Sequence, residues 1–109
     1  MKELQAALAA AVAGEVRFDP GARAAYASDA SNYRQVPIGV VLPRSAADMA
    51  AALAACRAHG APVLARGGGT SLCGQSVNVA VVFDCSKYMD RVLSIDAAAR
   101  TALVEPGVV

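Results

Sequence analysis

Apolar positions along the chain change period at a few points, and those changes mark out the elements. Leu4, Leu8 and Val12 recur at i, i+4 and i+8, which predicts a helix over 3–13 with Gly14 where a C-cap belongs. Val16 to Phe18 reads as a short extended stretch. Asp19-Pro20 then supplies a capping residue and a first-turn proline for a brief helix through Tyr26. Residues 28–37, Ser-Asp-Ala-Ser-Asn-Tyr-Arg-Gln-Val-Pro, are rich in side chains that bond their own backbone and predict an irregular loop. Val40-Val41-Leu42 is a strand closed by Pro43. Ser45 with Asp48 three residues on resembles a capping box that opens a helix ending at Gly60, with Met49, Leu53 and Cys56 on its inner side.

A second strand, Val63 to Ala65, follows, so strand, helix and strand occupy the span of a right-handed parallel crossover. After the loop from Arg66 to Ser76 comes the apolar run Val79 to Phe83. Val92 to Ile95 and Thr101 to Val104 flank Asp96-Ala97-Ala98-Ala99-Arg100 as a hairpin. The predicted fold class is α+β, a mixed sheet with a β-α-β unit and helices on one side.

Composition narrows the function classes. Much of the 56% apolar content is alanine, which favours helix but buries little area per residue, so the core is small. With 10 Lys and Arg against 9 Asp and Glu, and neither sign in a block, no footprint for nucleic acid is present. No apolar run approaches the roughly 18 residues of a membrane helix, and the N-terminus lacks a signal-peptide core, so a soluble, cytoplasmic chain is expected. Cys56, Cys73 and Cys85 form neither a C-x-x-C pair nor an even disulfide set, and His59 completes no zinc site with them. No metal site is expected.

The chemistry concentrates in Arg66-Gly67-Gly68-Gly69-Thr70-Ser71-Leu72-Cys73-Gly74-Gln75-Ser76. Three successive glycines cost backbone entropy, so they call for unusual dihedrals or the close approach of another group. An anion suits the second case: amides of a glycine loop converge as a nest on phosphate oxygens, and Thr70, Ser71, Gln75 and Ser76 add donors. A P-loop is excluded, since no lysine occurs between Lys2 and Lys87, and a G-x-G-x-x-G counted from Gly67 meets Leu72 at its last glycine. A sharp turn between strands is the competing explanation.

Pro62-Val63-Leu64-Ala65-Arg66-Gly67-Gly68-Gly69-Thr70-Ser71-Leu72, continued by Gly74-Gln75-Ser76, resembles the pyrophosphate loop of FAD-linked oxidases of the vanillyl-alcohol oxidase and p-cresol methylhydroxylase type. Tyr26 to Tyr33, Val40 to Pro43, Phe83-Asp84, Lys87-Tyr88-Met89, Val92 to Asp96 and Val104-Glu105-Pro106-Gly107-Val108 are similar to that family in the same order. The Asp-Ala-Ser-Asn-Tyr and Gly-Thr-Ser-Leu-x-Gly-Gln forms resemble most the D-lactate and D-2-hydroxyglutarate dehydrogenase branch, which includes long chains carrying an iron–sulfur cluster in a C-terminal domain.

The resemblance implies an N-terminal helical segment and loop over 1–36 and the first part of a PCMH-type FAD-binding domain over 37–109. It places Arg66, Gly67, Gly68, Gly69, Thr70, Ser71, Gly74, Gln75 and Ser76 around the pyrophosphate, Pro43 near the adenine, and Pro106, Gly107 and Val108 beside the flavin. Thr70 stands where other branches carry a histidine that attaches FAD, so noncovalent FAD is expected at this loop. The complete enzyme would oxidise a 2-hydroxy acid, in the cytoplasm or at the inner face of a membrane, and the 109-residue chain alone would be inactive and self-associating. A non-catalytic nucleotide-binding or self-associating module is the alternative.

Other residues read more plainly. Arg66 suits a phosphate partner or a salt bridge beneath the loop. Asp29 reads as a turn former. His59 complements a helix dipole, and the tyrosines are packing residues.

Overall fold

The computed structural model describes residues 1–109. Its elements are α1 (Lys2–Ala11), β1 (Glu15–Arg17), α2 (Pro20–Ala25), β2 (Gly39–Leu42), α3 (Ala46–Ala58), β3 (Val63–Arg66), β4 (Val81–Asp84), β5 (Val92–Asp96) and β6 (Thr101–Val104). Four strands form one sheet in the order β1-β2-β4-β3, and β5 and β6 form a separate hairpin. Within the sheet β1 is antiparallel to β2, whereas β2, β4 and β3 run parallel. The crossover from β2 through α3 to β3 therefore skips a position, and β4 fills it after the glycine-rich loop.

Because side chains alternate across a strand, the sheet buries two faces. Val41, Val81 and Phe83 pack with Leu4, Leu8 and Val12 around Ala52 and Cys56, which places α1 and α3 together on one side. On the other side Val40, Leu42 and Val82 meet Tyr26, Leu64 and Tyr88, so the end of α2 packs against that face. Strands covered on both faces read as continuous apolar runs, as β2 and β4 do.

Several local expectations are refined. Asp19 caps α2 as read from the sequence, its Oδ2 accepting from the Ala22 amide at 2.9 Å. The inner stripe of α3 is Asp48, Ala52 and Cys56 with Met49 alongside, while Leu53 is exposed. Alanine on nearly every side of α3 leaves apolar periodicity a weak guide, and the close approach of α1 selects the small residues. Gly14 is not a left-handed cap: a Cβ there would overlap the Leu42 carbonyl, so glycine permits the close approach of the α1–β1 turn to β2.

The capping box is only half formed. Ser45 accepts from the Asp48 amide at 3.1 Å, but the Asp48 carboxylate turns away to accept from Ala13 (2.9 Å), Gly14 (3.0 Å) and Arg44 (3.0 Å). Asp48 thereby ties the α1–β1 turn to the start of α3. Burial works to raise its pKa, but the three amides outweigh it and hold the carboxyl below its ordinary value.

Residues 1–36 and 37–109 share this sheet and core, since β1 pairs with β2 and α1 packs on α3.

Candidate functional site

Ligands of parallel sheets bind beyond the carboxyl ends of the strands, at a point where neighbouring connections part. Here those ends are Leu42-Pro43, Arg66-Gly67 and Asp84-Cys85, and the glycine-rich loop leaves from the middle of the three segments in the sequence. An open cavity of about 360 Å³ lies over it, lined by Ala65 to Ser71 with Gln75 and Ser76.

The three consecutive glycines turn out to be glycine for different reasons. Gly69 has φ +68°, and a Cβ there would sit 2.5 Å from Arg66 Nη2. Gly67 and Gly68 have no positive φ, and a Cβ on either meets nothing closer than the Pro106 carbonyl at 3.8 Å or Thr70 Cγ2 at 3.6 Å. Neither strain nor crowding by the chain demands glycine at 67 and 68. Their absent side chains leave a cradle open to a group from outside.

The amides of residues 67–74 donate to no acceptor in the protein. Eight successive N–H groups, counted over those positions, are left to solvent or to a group from outside, and five of them, from Gly67 to Ser71, line the cavity. The Thr70 hydroxyl also has no protein partner, whereas the Ser71 hydroxyl and Gln75 side chain bond each other and the Ser76 hydroxyl donates to Asp29 Oδ2 at 2.9 Å. The space above Gly67 and Gly68 is open, and the amides and the Thr70 hydroxyl beside it are not used by the protein itself.

Arg66 lines the same cavity and braces the loop at once. Its Nη1 donates to the Ser76 carbonyl at 3.0 Å and the Tyr26 carbonyl at 3.4 Å, and the guanidinium stacks 5.2 Å from the Tyr26 ring centroid. The salt bridge weighed for this residue does not form. Asp84, its register partner on β4, is occupied by the Tyr26 hydroxyl and by Ser86, so Arg66 turns to carbonyls. For Tyr26, burial and then the bond to Asp84 raise the phenol well above its ordinary value, and it stays protonated.

The remaining sequence-derived positions divide. Pro106 comes to the rim, its carbonyl beside Gly67, and is exposed. Gly107 is buried where a Cβ would overlap the Cys85 carbonyl, its amide donating to Met89 at 2.8 Å, and Val108 is half-buried next to it. Gly74 lies outside the cavity lining and serves the turn, with φ +81° and the Tyr33 ring beneath it. Pro43 is fully buried at the end of β2 and packs within the chain. Cys56 and Cys85 are buried, which raises both thiols, and Cys73 is exposed on the loop.

Tyr26, Asp29, Ala30 and Tyr33, which sequence reasoning left out of the candidate site although their stretch resembles the family, all contact the loop or Arg66. Only the Asp-x-Ser spacing of Asp29 and Ser31 carried a local signal, and it pointed to a turn.

Comparison with known proteins decides the family. Residues 37–109 match the model of a family described as FAD binding domain. The chain belongs to that family, among the FAD-linked oxidases. It is 34% identical over 105 residues to the glycolate oxidase subunit GlcD of Bacillus subtilis, covering 90% of this chain and 22% of that protein. It is 42% identical over 90 residues to D-2-hydroxyglutarate dehydrogenase of Pantoea ananatis, covering 80% of this chain and 9% of the relative. The chain thus spans between about a tenth and a quarter of these relatives. Among solved structures, the carbohydrate oxidase from Microdochium nivale superposes with a TM-score of 0.76 at 20% identity, over 97% of this chain and 23% of that one. This last likeness is one of fold. Within the residues matched to that family, the open space over Gly67 and Gly68 lies at the carboxyl end of β3.

Proposed function

We propose that this chain grips the pyrophosphate of noncovalently bound FAD in a flavin-dependent oxidoreductase that oxidises a 2-hydroxy acid. The observation that carries the proposal is the row of unpartnered amides from Gly67 to Ser71 along the cavity, with space above Gly67 and Gly68 that no side chain of the protein fills. Two relatives support the substrate class, since glycolate and D-2-hydroxyglutarate, the compounds in their names, are both 2-hydroxy acids.

FAD, when bound, supplies the hydride-accepting chemistry. The chain's own part is to hold and orient. The amides of Gly67 to Ser71 and the Thr70 hydroxyl donate to phosphate oxygens, and the fixed Arg66 guanidinium adds positive charge beside them without leaving its carbonyl partners. The Pro106 carbonyl at the rim sets how close a bound group lies to Gly67. Thr70 has no nucleophilic nitrogen with which to form a histidyl link, so flavin is expected to be released on acid precipitation.

Titration of the chain with FAD, followed by quenching of flavin fluorescence and by amide shifts, tests the reading. Saturable binding with shifts centred on residues 67–74 is expected. Saturable binding that leaves those amides unmoved would place the phosphates elsewhere.

A further inference from the structure

The segment from Tyr26 to Tyr33 lies before the residues that match the family model, yet it touches the glycine-rich loop at four points. The Tyr26 carbonyl accepts from Arg66, and the Ala30 amide donates to the Gly69 carbonyl at 3.0 Å. The Tyr33 ring lies under Gly74, 2.8 Å from where a Cβ would be. The fourth contact is the strongest in kind. Asp29 Oδ2 accepts from the Ser76 hydroxyl at 2.9 Å and faces the Ser76 amide at 3.4 Å, while Oδ1 accepts from the Ser31 amide at 2.8 Å and from the Ser31 hydroxyl.

We propose that Asp29 is a positioning residue for FAD: its carboxylate fastens the far limb of the glycine-rich loop, through Ser76, to a rigid turn, and so holds the free amides in register for the pyrophosphate. The inference rests on the reading of that loop as the phosphate cradle. Asp29 itself touches no cavity-lining glycine and carries the wrong charge to meet a phosphate, so it acts only through Ser76. One oxygen makes the turn and the other holds the loop, a division of labour that two substitutions separate.

A loop of three glycines has many backbone states, and a cradle that must be ordered on binding loses affinity to that ordering. Two ties, Ala30 on Gly69 and Asp29 on Ser76, set both limbs beforehand. The Ser31 hydroxyl is the main cause, with the Ser31 amide and Ser76 after it, that pushes Asp29 down to about 2, so the carboxylate is ionised wherever the enzyme would work.

The test uses FAD titration of the wild-type chain, Asp29→Asn, Asp29→Ala, Ser76→Ala and the double variant Asp29→Ala/Ser76→Ala, with circular dichroism and the amide spectrum of α3 to report folding. Asn retains an oxygen for Ser31 but presents an uncharged NH₂ group that opposes the Ser76 amide and can only donate to its hydroxyl, so the charge-assisted bond is lost. Each single variant is expected to stay folded and to bind FAD about tenfold more weakly, with the double variant no weaker than the singles, because one charge-assisted hydrogen bond is lost in each case. Shifts between wild type and Asp29→Asn should be confined to residues 28–33 around the substitution and to residues 67–76. Wild-type affinity in Asp29→Asn, additive losses in the double variant, or global unfolding of both Asp29 variants would each overturn the inference. A wild-type chain that binds no FAD would overturn the functional reading and this inference with it.

Discussion

At the scale of single residues, the Gly-Gly-Gly run behaves as two different devices. Gly68 faces open space, so Gly68→Val should leave the melting curve close to wild type while placing a branched side chain in the space proposed for the phosphates. Loss of two hydrogen bonds to a charged group at about 1.5–3 kcal/mol each would weaken FAD binding by roughly two to four powers of ten. Gly69→Val should behave in the opposite order. Its left-handed φ and the Arg66 guanidinium oppose a side chain, and a loss of about 1–3 kcal/mol of stability is expected. Thermal denaturation beside FAD titration of both variants separates the two roles, and equal behaviour would contradict the division. The sequence shows three identical glycines. Only the direction of each absent Cβ tells them apart.

At the scale of elements, Asp48 joins three pieces of chain with one side chain. Asp48→Ala strands the amides of Ala13, Gly14 and Arg44, and a loss of about 2–4 kcal/mol is expected, read as a lower urea midpoint. Leu53→Ala gives the control on the same helix. Because Leu53 is exposed, it should shift the midpoint little, whereas Leu8→Ala opposite α3 removes a fully buried side chain and should cost about 2–5 kcal/mol. Apolar periodicity alone would rank Leu53 with Leu8. The reversal follows from α3 being alanine-rich on every side, which lets the packing of α1, and not the helix's own pattern, choose the buried face.

At the scale of the molecule, two properties stand out. The first is acid sensitivity. Glu15, Asp19, Asp29, Asp48 and Glu105 are all held below their ordinary values of 3.8 for Asp and 4.5 for Glu, with Lys87 the main cause for Glu15 and Arg91 for Glu105. A folded-state pKa below the unfolded one stabilises fully above the unfolded value and is lost as pH falls through the folded one. Stability should therefore be level from neutral pH to about 4.5 and fall steadily towards 2, as unfolding midpoints across that range would show. The second is the hairpin. Val92, Leu93, Ile95, Leu103 and Val104 are all exposed, and β5 and β6 pair only with each other. The radius of gyration, 14.6 Å, exceeds the roughly 13 Å of a compact chain of this length. Bare apolar strands with free edges associate, and for the 109-residue chain by itself the available partner is a second copy. Light scattering should show mass rising with concentration, and Ile95→Lys with Leu103→Lys should suppress the rise; a constant monomer mass in the parent chain would contradict this.

The sequence by itself determined what depends on neighbours along the chain: the helix starts at Asp19-Pro20 and Ser45, the strands β2, β3 and β4, the β5–β6 hairpin, and a glycine-rich loop fit for an anion. Those features rest on periodicity, capping and backbone freedom, which act over a few residues. Tertiary structure alone decided the insertion of β4 between β2 and β3, the inward face of α3, the turning of Arg66 to carbonyls, and the bracing of the loop by Asp29 and Ala30. Each of these joins residues far apart in the chain, 47 positions in the case of Asp29 and Ser76. An aspartate that makes a local turn and one that also holds a distant loop have the same neighbours in sequence, and only the fold brings Ser76 within reach of the second oxygen.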